Sequence, residues 1–251
     1  MSNRCISVII PTLNEAHHLP STLASCRDPH LREVIVVDGG STDGTAAAAM
    51  RAGAGVLHAP RGRASQMNRG VQAATAPILL FLHADTRLPE GFGGEVVRLL
   101  NLPGTIAGAF RLRIEDRRVL FRLIEKAVDL RSRWFGLPYG DQALFLYRRH
   151  FEEAGGFPEI PILEDIKFVR GLHRSGKIRI TARQVLTSSR RWDRTGLLRL
   201  TVMNQIVLLS DLLGVAPERI AARYRRWTSG STGGVEKSEA GSETFRHPPA
   251  S

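Results

Sequence analysis

The stretch Ile78-Leu79-Leu80-Phe81-Leu82-His83-Ala84-Asp85-Thr86 decides the fold. Its five leading apolar residues read as a buried parallel strand, and that strand runs straight into a histidine and an aspartate. Two earlier stretches have the same character: Ser7-Val8-Ile9-Ile10-Pro11-Thr12-Leu13-Asn14-Glu15, and Val34-Ile35-Val36-Val37-Asp38-Gly39-Gly40-Ser41-Thr42-Asp43-Gly44-Thr45. Three apolar strands therefore end in acidic or polar residues. Ligands of an open α/β sheet bind beyond the carboxyl ends of its strands. Carboxylates gathered there suit a hard divalent cation and a phosphorylated ligand.

Working outward, the pattern predicts strands over 5–10, 33–37, 55–58 and 77–82, with helices over 15–25, 43–52 and 64–74. Asn14 is the expected cap of the first helix. Strands alternating with helices of this length predict an α/β fold with a mostly parallel, right-handed, Rossmann-like sheet. That nucleotide-binding half occupies 1 to about 100. A smaller, mixed half follows over 101–228, with strands over 105–114, 143–147 and 178–186 and helices over 117–134, 150–154, 164–175, 195–213 and 217–227. The two halves are read as one domain, 1–228. Residues 229–251 shift to Ser, Gly, Thr and Glu and are read as a disordered tail.

Of 251 residues, 43% are apolar, enough for a substantial core, and the formal net charge is +11. Basic surfaces draw phosphates, nucleic acid or anionic lipid, while many of these arginines suit solvated helix faces. Cys5 and Cys26 form neither a disulfide framework nor a metal spacing, which fits a reducing compartment. No signal peptide is read at the N-terminus, and no apolar run reaches the roughly 20 residues of a membrane span. A cytoplasmic location is expected, at the inner face of the cell membrane if the lipid is contacted.

Pro11, Thr12, Asn14 and Glu15 sit at the first strand-to-helix turn, where backbone donors can hold a base or ribose or simply start a helix. Asp38 suits a ribose hydroxyl or a base donor, since a carboxylate only accepts, and the turn after it is equally good turn chemistry. Arg63 and Asn68 enter a helix whose start suits a diphosphate. His83, Ala84 and Asp85 form the metal candidate: Asp85 suits Mg²⁺ or Mn²⁺, and His83 suits Mn²⁺ better than Mg²⁺. Glu164 and Asp165 open a helix, where they complement its dipole or supply a general base. Gly140, Asp141 and Gln142 add an acid and an amide, and Arg190-Arg191-Trp192 combines cations with an aromatic plate.

In order and at these separations, the segments resemble glycosyltransferase family 2, inverting enzymes of the GT-A fold, over about residues 5–195. Val8 to Glu15 is similar to the opening motif and Val36 to Thr45 to the second. Leu82-His83-Ala84-Asp85 lies where the family has D-x-D. Leu163-Glu164-Asp165 matches the E-D motif, and Arg191-Trp192 the end of Q-x-x-R-W. The H-A-D-T form, with Gly62-Arg63-Ala64-Ser65-Gln66-Met67-Asn68 before it, resembles a bacterial subgroup described as associated with radical-SAM and selenium-related genes. There are departures: Gly39 stands where many members have a second Asp, His83 replaces the first Asp of D-x-D, and Ser188 replaces the Gln of Q-x-x-R-W.

The resemblance implies a nucleotide-diphosphate sugar as donor, a divalent cation (Mg or Mn), and a hydroxyl or carboxyl acceptor. Thr12, Glu15 and Asp38 would hold the nucleoside. Asp85, with His83 second, would ligate the metal bridging the diphosphate. Asp165 would be the base, and Gly140, Asp141, Gln142 and Trp192 would border the acceptor. Transfer of a single sugar is expected rather than polymer synthesis. A sugar-nucleotide nucleotidyltransferase ranks below, because it wants a Gly-rich, Arg-containing loop after the first strand. A domain that merely binds nucleotide is opposed by the presence of both Asp85 and Asp165. The basic amphipathic segment 117–134 and the apolar helix 195–215 suit an anionic bilayer and a lipid-linked or isoprenoid acceptor, or else cover the sheet or form a homodimer interface. No nucleic-acid partner is expected.

Overall fold

The computed structural model describes residues 4–229. The described chain divides into two compact units, and the division falls between Arg191 and Trp192. The expected tail lies, from residue 230 onward, outside the described residues.

The first unit is built on one eight-stranded sheet. Its strands are β1 (Ile6–Thr12), β2 (Leu31–Asp38), β3 (Gly55–His58), β4 (Ile78–Phe81), β5 (Thr86–Arg87), β6 (Thr105–Ile114), β7 (Phe145–Tyr147) and β8 (Lys177–Thr187). They lie in the order β3-β2-β1-β4-β7-β6-β8-β5. Strands β3, β2, β1 and β4 are mutually parallel, as is β6 with β8. β7 runs antiparallel to both β4 and β6, and β5 antiparallel to β8. The expected mostly parallel α/β sheet is therefore present. β1 and β4 are buried along their length, and all of β4 and most of β1 are apolar, because both faces of the sheet are covered. Ile6, Val8 and Ile10 pack into one core and Ile9 into the other.

The helices around the sheet are α1 (Leu19–Ser25), α2 (Thr45–Arg51), α3 (Arg63–Ala73), α4 (Phe92–Leu100), α5 (Val119–Phe135), α6 (Arg148–Glu153) and α7 (Glu164–Leu172). A short helix, α8 (Arg190–Thr195), carries the boundary between the units. The second unit then consists of α9 (Leu197–Leu212) and α10 (Pro217–Ser229).

From β1 the chain steps outward to β2 and β3, then returns to place β4 on the other side of β1. That reversal makes the β1/β4 edge the switch point where a crevice opens. Pairing of β1 with β4 stops at Ile9 and Phe81, whereas pairing with β2 continues to Thr12 and Asp38. Pro11, which has no N–H to offer a ladder, thus stands where β4 has already left.

Two expectations for the β1 end change. α1 begins at Leu19, after a turn in which the amides of His18 and Leu19 donate to the Glu15 carbonyl. Asn14 caps nothing in α1: it has a φ of 55°, and its side chain accepts from the Thr42 amide at 2.9 Å, joining the β1 and β2 turns.

Candidate active site

The turns after β1 and β2 are stitched together by the residues that sequence singled out. The Glu15 amide donates to Thr45 Oγ1 at 2.8 Å, the Ala16 amide to Asp43 Oδ2 at 3.0 Å, and the Asn14 amide to Ser41 Oγ at 2.9 Å. Asp38 is buried beneath this seam. One carboxylate oxygen accepts from the Ser41 hydroxyl and from Thr12 Oγ1 at 3.4 Å. The other accepts from the Gly40 and Ser41 amides at 3.1 and 2.9 Å. Burial alone would raise its pKa, but these donors, the Ser41 hydroxyl foremost, hold it below the ordinary carboxylate value.

The departure at Gly39 has a local cause. Gln66 is buried and donates from Nε2 to the carbonyls of Thr12 and Val37, at 2.8 and 2.7 Å. A Cβ on residue 39 would stand 3.0 Å from that nitrogen and 3.2 Å from the amide carbon. The Gln66 amide fills the space a second aspartate side chain would enter.

His83, Ala84 and Asp85 form the tight turn between β4 and β5, closed by the Thr86 amide donating to the His83 carbonyl at 3.1 Å. Ala84 is buried, and its carbonyl accepts from Thr22 Oγ1 at 2.8 Å. Asp85 meets Arg190, whose Nε lies 3.3 Å from Oδ2. The same guanidinium pairs with Glu15 through a terminal nitrogen. Sequence reasoning noted the cations at Arg190-Arg191 but did not place Arg190 in the site. A pairing across 175 residues leaves no local mark.

Across the crevice, Asp165 sits in the first turn of α7. Its Oδ2 accepts from the Gly140 amide at 2.7 Å, and its Oδ1 from the Ile166 amide at 2.8 Å. Gly140 begins a 3-10 turn, Gly140–Gln142. A Cβ there would lie 2.9 Å from Asp165 Oδ2 and 3.1 Å from His83 Nε2. Glycine therefore lets the carboxylate and the imidazole close on one backbone position. Both side chains line a cavity of about 10 Å³, with Pro11, Tyr139 and Glu164 also in its wall. That is room for a single water. His83 is pushed down to about 4 by burial and then by the Arg63 charge, while Asp85 and Asp165 both pull it up. It is a neutral imidazole at neutral pH, and it feels both carboxylates.

Glu164, beside Asp165, has a partner of its own. It is buried against Arg63, with Nε 2.6 Å from Oε1. Burial and the neighbouring Asp165 raise its pKa against the pull of Arg63. Asp141 is raised likewise by burial, with Arg131 opposing, and its Oδ1 is buried with no hydrogen-bond partner.

Two singled-out amides face away from the crevice. Gln142 donates to the Phe110 carbonyl at 3.0 Å and accepts from Ser132 Oγ at 2.8 Å. Asn68 clips the backbone of Phe157, donating at 2.9 Å and accepting at 3.0 Å. Arg191 is exposed, and its charge acts on His83 and Asp141. Trp192 lies beyond the unit boundary and is half-buried.

Among the described residues no three His, Cys, Asp or Glu side chains gather to hold a metal ion. Asp85 and His83 offer one hard oxygen and one neutral nitrogen, and Glu15 Oε2 is buried nearby with no hydrogen-bond partner. This set fits a cation that draws most of its ligands from a diphosphate and water, as Mg²⁺ and Mn²⁺ do at nucleotide sites.

A curled, mostly parallel sheet with acidic turns around the β1/β4 crevice is the architecture of GT-A glycosyltransferases. The profile described as glycosyl transferase family 2 matches residues 7–157, and the chain belongs to that family. Over 92 residues it is 41% identical to an uncharacterised glycosyltransferase of Mycobacterium tuberculosis H37Rv, a match covering 36% of this chain and 41% of the relative. Over 228 residues it is 28% identical to the undecaprenyl-phosphate 4-deoxy-4-formamido-L-arabinose transferase of Serratia proteamaculans, covering 83% of this chain and 66% of that one. A solved mannosyltransferase from Pyrobaculum calidifontis, in complex with GDP-Man and Mn²⁺, superposes with a TM-score of 0.63 at 22% identity, over 80% of this chain and 61% of the other. That likeness shows the fold.

Proposed function

We propose that this chain is an inverting glycosyltransferase, moving one sugar from a nucleotide-diphosphate sugar to an acceptor hydroxyl or carboxyl group. The observation that carries the reading is Gly140. Its missing side chain lets the Asp165 carboxylate and the His83 imidazole, two residues before Asp85, close on one backbone position and line one cavity. The relatives' glycosyltransferase names and the Mn²⁺ and GDP-Man in the Pyrobaculum structure support the same reading.

In this mechanism Thr12, Glu15 and Asp38 lie at the nucleoside end. Asp85 and His83 would hold a divalent cation, which supplies neutralisation of the diphosphate as it leaves. The Gly140 and Ile166 amides fix the Asp165 carboxylate. Asp165 takes the proton of the acceptor hydroxyl, whose oxygen attacks the anomeric carbon from the face opposite the diphosphate. The bond to the diphosphate breaks, and the leaving group departs with the electron pair. Arg63 and Arg191 add positive charge around this turn. Asp165→Asn tests the assignment: donor turnover falls by about 10²–10⁴-fold, while a nucleoside diphosphate with Mn²⁺ still raises the melting temperature. Unchanged turnover removes Asp165 as the base.

The acceptor is proposed to be lipid-linked, as the name of the Serratia relative says of its own substrate. In the first unit, α5 presents Val119, Leu123, Leu130 and Trp134 along one exposed stripe, Trp134 being 79% exposed, with Lys126 beside it. That stripe is the proposed contact with an anionic bilayer. Salt-dependent pelleting with anionic liposomes is expected, and no pelleting at low salt contradicts it. No described helix is long and apolar enough to cross a membrane. The H-A-D-T turn supports placing the chain in the bacterial subgroup that it resembles.

A further inference from the structure

The second unit holds a cavity that the donor site does not use. α9 and α10 form a hairpin, turned at Gly214 and tied at its open end by Arg199 donating to the Trp227 carbonyl at 2.8 Å. Between the helices lies a space of about 160 Å³. Met203 and Val207 of α9 and Ile220 of α10 form its apolar floor, and all three are buried. Trp227 stands at one end. An apolar cavity of about 150 Å³ stays dry and takes a benzene-sized group. One isoprene unit or a short alkyl run has that size.

The rim differs in character from the floor. Arg219 and Arg223 both line the cavity and both are exposed. They are four apart on α10, so their like charges meet on one face and repel. Among the described residues that line the cavity, none is acidic. A dianion held between two guanidinium forks removes that repulsion, whereas a carboxylate needs only one fork.

The geometry points to a binding site for a phosphate monoester carrying a hydrocarbon tail, the tail in the apolar floor and the phosphate between Arg219 and Arg223. The site belongs to the second unit alone.

Isothermal titration of the full chain, with no sugar nucleotide present, tests it. The probes are farnesyl phosphate below its micellar concentration, farnesol, inorganic phosphate, and vesicles containing phosphatidic acid. Farnesyl phosphate is expected to bind one to one, about ten-fold or more tighter than farnesol, with inorganic phosphate giving no heat. Arg219→Ala with Arg223→Ala removes the preference for the phosphate over the alcohol. These positions are exposed, and an unchanged melting temperature shows that the fold is kept. Val207→Phe fills the floor and weakens both prenyl ligands together. Binding of vesicles alone overturns the proposal in favour of a membrane-surface role. The absence of heat with farnesyl phosphate overturns it too, whether the chain's own tail or a second copy fills the cavity. Neither failure bears on Asp165 or the donor crevice, because no transfer is measured.

Discussion

Two aspartates of the first unit, Asp38 at the end of β2 and Asp165 at the start of α7, look alike in sequence and live in different surroundings. Asp38 has two donors on each oxygen, three of the four coming from Gly40 and Ser41 next door. Asp165 has one backbone amide on each oxygen and borders a cavity. The saturated carboxylate builds the loop. The partly satisfied one keeps lone pairs free, as the proposed base needs. Position at the end of a strand or the start of a helix therefore says less about chemistry than the number of donors already spent.

Paired amide substitutions break this comparison if it is wrong. Asp165→Asn is the largest expected effect, on turnover; its amide nitrogen faces one backbone donor rather than two donors, so its loss of stability is expected to be smaller than that of Asp38→Asn. Gly140→Ala comes next. Its Cβ must displace Asp165 Oδ2 from 2.9 Å, and turnover falls by about 10–100-fold, with little change in the denaturation midpoint. Retained turnover in this variant contradicts a precisely held base.

Asp38→Asn reverses the pattern. An amide nitrogen replaces one acceptor and faces donors, so unfolding in urea is expected to show a loss of about 1–3 kcal/mol. Gly39→Ala is smaller, about 1 kcal/mol or less, because the Gln66 amide must yield a few tenths of an ångström.

The acid limb sharpens the contrast further. Asp38 has a lowered pKa in the folded chain. Its contribution is therefore fully present above the unfolded value of about 3.9 and is lost as pH falls below it. Wild-type stability should drop more steeply than that of Asp38→Asn as pH falls below about 4. Parallel curves would contradict a tightly bonded carboxylate.

β1, β2 and β4 were legible because each is a mainly apolar run leading to polar residues, and β1 and β4 are buried along their length. The His83-Ala84-Asp85 turn stood out for the same reason, at the end of β4, and Glu164-Asp165 stood out as paired acids at a helix start. Other parts left no periodic signal. β5 is two residues long, and α4 hides behind Gly93 and Gly94, although Phe92, Val96, Leu99 and Leu100 are buried. The parallel pairing of β6 with β8 joins Thr105 to Lys177 across α5, β7, α6 and α7, a distance no window spans. Asn68 and Gln142 look like ligand-binding amides until their partners, the Phe157 and Phe110 backbones, are seen. Arg190 is the converse: one arginine among many in sequence, it joins Glu15 to Asp85 in the fold.

The most direct test of the account is a crystal structure with a nucleoside diphosphate sugar and Mn²⁺, read by the anomalous signal of manganese. The account predicts a single peak beside Asp85, against the diphosphate, with the sugar's anomeric carbon turned toward Asp165. A peak away from Asp85, or a sugar whose path to Asp165 is blocked, would contradict it.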